Sequence, residues 1–114
     1  MRTLLIAAVA ASLCLGAAVA KDKPTRFWNL TLHTVNNLQL SPAGKNDWGP
    51  NQCMNDRDGT VDHDERVAVT GVVTGRYDVK LADDSGRACI VRNVDVKSGG
   101  IFVVDEKQLT DCGK

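Results

Sequence analysis

"RYDVKLADDSGRACIVRNVDV", residues 76–96, decides the fold. Tyr77, Val79 and Leu81 alternate with Asp78 and Lys80, placing the first three on an inward face and the other two outward, the period of a half-buried strand. "DDSG", residues 83–86, joins acidic turn formers to a glycine and reads as a hairpin turn into a second strand, "RACIVRNVDV". The same pattern continues on both sides. Downstream, "KSGG" turns into "IFVV", and the tail "DEKQLTDCGK" is short and polar. Upstream, "RVAVTGVV" sets Val67, Val69 and Val73 on one face, with Gly71 as a bulge.

Further back, "RFWNLTLHTV" turns Trp28, Leu30 and Leu32 one way and Asn29, Thr31 and His33 the other. Asn36-Asn37 fits a tight turn, because asparagine tolerates left-handed backbone angles, and Leu38 and Leu40 carry the pattern onward. Pro42 and Gly44 stop it. No stretch has a helical stripe. The expectation is all-β: a small antiparallel β-sandwich or open barrel of six to seven strands, joined mostly by sequential hairpins.

The first twenty of the 114 residues read as an export signal: Arg2, the apolar run "LLIAAVAASLCLGAAV", then small residues ending at Ala20. Residues 21–25 form a charged leader, and 26–114 a single β domain. Cleavage after Ala20 leaves 94 residues with a formal charge of −1, so neither nucleic acid nor a charged membrane surface is an expected partner, and no membrane span remains. The expected location is the periplasm or the exterior, where cysteines pair. Three survive cleavage, with three possible pairings. Cys53 and Cys112 lie in polar surroundings and Cys89 in an apolar strand pattern, so Cys53–Cys112 is the expected bridge. It would close a loop of about 60 residues, worth about 4 kcal/mol by chain entropy.

"NLTLHTVNNLQLSPAGKNDWGPNQ" followed by "YDVKLADDSGR" resembles a group of small exported bacterial proteins without an assigned function. The shared features fall on Ser41-Pro42, Trp48-Gly49-Pro50-Asn51, Tyr77-Asp78 and the 83–86 turn, across residues 27–96. The resemblance implies a compact β domain and no catalytic residues. Proteins of that group often carry cysteines flanking the Tyr-Asp strand and its successor. Here those places hold Gly75-Arg76 and Val96-Lys97, and the acidic "DRDGTVDHDE" has no counterpart.

Residues 45–65 lack periodicity, and a bare loop of about twenty residues is long for a small domain, so it is expected to be functional or pinned. Trp48 and Asn51 are its candidate binding residues. Asp56, Asp58, Asp62, Asp64 and Glu65 surround Gly59, and calcium takes six to eight oxygens, so they form a candidate calcium loop. With Gly59 in sixth place of an EF-hand loop, Asp56, Asp58, Asp62 and Glu65 fall third, fifth, ninth and twelfth. The first place is Met54, however, and flanking helices are absent, which leaves a non-EF loop or a solvated polar turn. His33 reads as a surface histidine; His63 is flanked by Asp62 and Asp64. No nucleophile, base and orienter recur together, so no enzyme is expected. The leading expectation is a non-enzymatic exported module binding a protein or surface ligand through the 45–65 loop. A calcium-binding or calcium-stabilised protein and an inhibitor of a secreted or periplasmic enzyme are the alternatives, and calcium is the one cofactor raised.

Overall fold

The computed structural model describes residues 23–113. The export signal, Ala20 and the start of the leader lie outside the described residues. Seven strands follow in order: β1 (Thr25–Leu30), β2 (Val35–Pro42), β3 (Arg66–Val69), β4 (Gly75–Asp83), β5 (Ala88–Val96), β6 (Ile101–Asp105) and β7 (Cys112–Gly113). Two short 3-10 turns, Gln52–Asn55 and Glu106–Gln108, are the only helical pieces among the described residues. None of these is long and apolar enough to cross a membrane. Thr25, read as leader, is instead the buried first residue of β1.

The strands form two sheets, ordered β3-β1-β6 and β2-β4-β5-β7, and all neighbours are antiparallel except β1 and β6. One core joins them: Phe27, Val67, Val69, Phe102 and Val104 from the first sheet meet Val35, Leu38, Leu40, Val79, Leu81 and Val91 from the second. This is the expected sandwich, but the expected run of sequential hairpins is not there: only β4 and β5 pair as consecutive strands, and every other neighbour is reached by a crossing between or within the sheets. Phe27 and Phe102 sit tilted in its middle, ring centroids 5.5 Å apart. The 83–86 turn joins β4 to β5 as expected, and Gly86 takes a positive φ there, which only glycine adopts without cost.

Three strand faces and one turn differ from expectation. Along β1 and the residues just after it the inward set is Phe27, Asn29 and Thr31, not Trp28, Leu30 and Leu32. By hydropathy the Trp28, Leu30 and Leu32 face is the more apolar, so alternation favours the face that is in fact the outer one. The chain turns at 31–34 rather than at Asn36-Asn37, which lie within β2. There the register slips between Val35 and Asn37, and that bulge lets Val35 and Leu38, three apart, both face the core. Val73 is 72% exposed beyond the end of β3. Asp78 points outward by parity but is buried. The 43–44 turn covers it, and its carboxylate accepts from the Gly44 N–H at 3.0 Å, the Asn93 N–H at 3.1 Å and the Arg92 guanidinium at 3.1 Å.

The expected Cys53–Cys112 bridge is absent. Cys89 and Cys112 face each other across β5 and β7 and are bonded, closing a loop of 23 residues. Cys89 is both core-facing and directly opposite the tail, so a buried cysteine in a strand pattern was no argument against pairing. Cys53 is a free, buried thiol. Its Sγ donates to the Val35 carbonyl at 3.6 Å, and burial, aided by the charge of Asp56, pushes its pKa up to about 11.

Candidate functional site

The 45–65 segment runs from the end of β2 to the start of β3, the edge strands on one side of the two sheets. It is not a bare loop. Along β2, the Gly49 N–H donates to the Leu40 carbonyl at 2.9 Å, Gln39 Nε2 donates to the Gly49 carbonyl at 2.9 Å, and Ser41 Oγ accepts the Asp47 N–H at 2.8 Å. Asn51 Oδ1 accepts both the Leu38 N–H and the Cys53 N–H at 3.0 Å, so one side-chain oxygen caps the 3-10 turn and completes the β2 edge. Across the seam, Gln52 imitates a strand partner. Its Nε2 donates to the Thr70 carbonyl at 2.9 Å and its Oε1 accepts the Thr70 N–H at 3.0 Å. Asn55 Nδ2 donates to the Ala68 carbonyl and to Gln52 Oε1, both at 2.8 Å. Side-chain amides thus occupy backbone groups on both edges, where an unpaired strand would invite association.

Val61 divides the acidic stretch. It is buried, and its N–H and C=O exchange bonds with those of Val35 at 2.8 and 2.9 Å. Asp56 and Asp58 therefore stay with the 3-10 turn, where Asp56 Oδ2 accepts the Asp58 N–H at 2.8 Å around Gly59. Asp62, Asp64 and Glu65 lie beyond it, against β1 and the 31–34 turn. Asp62 Oδ1 accepts from Thr34 Oγ1 at 2.9 Å, Asp64 Oδ1 from Trp28 Nε1 at 3.0 Å, and Glu65 Oε1 from the Asp62 N–H at 3.0 Å. The five candidate ligands do not converge on one shell. Among the described residues no three His, Cys, Asp or Glu side chains come together as a metal group.

This second half is anchored as firmly as the first. Asn29, fully buried, donates to the Val61 and His33 carbonyls at 2.8 and 2.9 Å while its Oδ1 accepts from Thr31 N–H and Oγ1. His63 Nδ1 lies 2.6 Å from the Thr31 carbonyl, which requires the tautomer protonated at Nδ1. His33 sits 3.4 Å from Asp84 at the same end of the sandwich. Trp28 supports the Arg66 guanidinium 4.1 Å above its ring, and Trp48 holds Lys80 Nζ at 4.4 Å on the outer face of β4. Each of these two tryptophans already has a cation on one face.

Of the candidate binding residues, Trp48 is half-buried beside Lys80, and Asn51 is a structural peg. The residues that reasoning from the sequence missed are Gln52, Asn55 and Asn29. Their signal was the density of amides in an aperiodic stretch. The apex they position is exposed: Met54 at 71%, with Arg57 and Asp58 beyond it. No family model, curated protein or solved structure matches the chain.

Proposed function

We propose that the protein is an exported, non-enzymatic binding module that meets a protein or surface ligand through its 45–65 segment. The observation that carries this reading is the pinning of that segment to both sheets by Asn51, Gln52 and Asn55. A segment fixed before contact loses little conformational freedom on binding, and that saving turns a small contact into affinity. Met54, with Arg57 and Asp58 following it, then offers an exposed apolar side chain and two charges on a rigid mount. The Cys89–Cys112 bond and the export-signal pattern of residues 1–20 support export, since disulfides persist in oxidising compartments. The resemblance of residues 27–96 brings no catalytic residue with it.

The test compares wild type with Met54→Glu/Arg57→Glu, both immobilised and exposed to extracytoplasmic proteins from the source cells. One protein retained by wild type and lost from the variant supports the reading. Equal retention by both overturns it. A retained enzyme that loses activity on binding identifies the module as an inhibitor.

A further inference from the structure

A cleft of about 360 Å³ opens where β2 and β3 end, between the start of the 45–65 segment and the 70–74 bend. Pro42, Pro50, Val72 and the Tyr77 ring supply its apolar walls, with Leu40 beneath. Part of its polar lining is committed. Gln52 gives its amide to Thr70, and the Tyr77 hydroxyl donates to the Val73 carbonyl at 2.9 Å while accepting the Val73 N–H at 3.1 Å. Those same bonds fix the two walls relative to each other. Asp47 is different: it is among the lining residues, it is exposed, and its carboxylate has no donor or cation within bonding distance among the described residues. Gly71 and Val72 also line it, and their amides donate to no protein acceptor among the described residues.

A rigid apolar cleft with one unpaired carboxylate calls for a ligand with an apolar body and a cationic end. Lysine and arginine side chains have that form, an aliphatic stem carrying a charge. The free amides of Gly71 and Val72 would suit the carbonyls of a chain running past. We propose that this cleft receives a lysine or arginine side chain from an extended segment of a partner polypeptide, with the cation on Asp47 and the stem between Val72, Pro50 and Tyr77. This deepens the binding reading above by giving the 45–65 segment a specific pocket and its partner a specific chemistry.

The test is a titration of the full chain with acetyl-Ala-Lys-Ala-amide, its arginine counterpart and its glutamate counterpart, followed by ¹H–¹⁵N shifts. The lysine and arginine peptides are expected to move the Gly49, Gly71 and Val72 amides at millimolar concentration, and the glutamate peptide to leave them unmoved. Asp47→Asn is expected to weaken the cationic peptides about tenfold without altering the fold, since its side chain bonds nothing. Absent shifts, equal response to lysine and glutamate, or indifference to Asp47→Asn would each overturn the proposal. The Met54→Glu/Arg57→Glu comparison reads the binding reading separately. A partner lost from that variant but still held by Asp47→Asn, with silent peptides, would sink the cleft and leave the module standing.

Discussion

Asn51→Ala tests the claim that side-chain amides hold the 45–65 segment. The wild-type Oδ1 accepts two backbone N–H groups at 3.0 Å, from Leu38 on the β2 edge and from Cys53 inside the 3-10 turn. Losing an N-cap costs about 1 kcal/mol. Leaving the half-enclosed Leu38 N–H without an acceptor adds about 1 kcal/mol, the low end for such a group because water can enter once the side chain is gone. The Nδ2 bond to the Asn36 carbonyl is 3.3 Å long and exposed, and it contributes little. The total is about 2 kcal/mol, which in a domain of this size lowers the melting midpoint by about 8–16 °C. Asn51→Asp keeps the acceptor and is an equally good cap, so it should recover most of the loss. Amide hydrogen exchange supplies the local readout: Leu38 and Cys53 should exchange faster in the alanine variant while Val79 and Leu81, deep in β4, follow global stability. An alanine variant that melts within about 2 °C of wild type, with Leu38 still protected, would refute the reasoning, since 2 °C is well under the shift expected for one lost bond.

Reduction of Cys89–Cys112 should cost about 3 kcal/mol by chain entropy for its 23-residue loop, seen as a large fall in urea midpoint on adding reductant. A midpoint unchanged by reductant would show β7 to be dispensable. Cys53 should resist thiol reagents at pH 8 in the native protein and react once in denaturant, because burial and a pKa of about 11 both withhold the thiolate. Stability should fall in acid. The bonds from Gly44, then from Asn93 and Arg92, outweigh desolvation to hold Asp78 below its ordinary 3.8, and burial of Asp83 is overcome by Ser85 and Arg87. Arg87 and the Leu32 N–H hold Glu106 below 4.5. These folded values lie below the unfolded ones, so the contribution is complete above the ordinary carboxylate range and is lost as pH drops through it toward the folded values. A chemical-denaturation series should show that slope, reduced in Asp78→Asn; stability rising as pH falls below 4 would contradict it. Calcium should leave the melting midpoint unchanged relative to chelator, since the acidic side chains are held apart on either side of Val61.

Strands with one clean apolar face were legible. Tyr77, Val79 and Leu81 are inward as the alternation required, and the 83–86 turn follows where acidic residues meet glycine. β1 was misleading for a physical reason. Its buried set includes Asn29 and Thr31, whose polarity is tolerable only because each is fully hydrogen-bonded, Asn29 to Val61 and His33, Thr31 to Asn29. A period-two count weighs hydropathy and has no access to such partners, so it turned the strand over. The Val35 bulge escaped for a related reason: an extra residue breaks the period at the place where the period is being used to find it. Pairing of Cys89 is not legible in the sequence because core burial and a cross-strand partner look like alternatives there, whereas the register of β5 and β7 supplies both.

The candidate site was legible in outline and not in detail. Absence of periodicity located 45–65, and its length implied that something holds it. What holds it is amide chemistry: asparagine and glutamine present an N–H donor and a C=O acceptor side by side on separate atoms, as a peptide group does. Gln52 uses both on Thr70, which is why it can stand in for a strand residue along the β3 side of the seam. The carboxylates, which drew attention as metal ligands, can only accept. Each of Asp56, Asp62, Asp64 and Glu65 accordingly ends on a nearby N–H or O–H, tightening a turn or tying it to the sheet beside it. In a long aperiodic stretch the amides therefore indicate where the chain bridges two strand edges, and the carboxylates where it turns. Asn51, Gln52 and Asn55 lie on one side of Gly59, Asp62, Asp64 and Glu65 on the other, and the structure divides the segment between those roles at Val61.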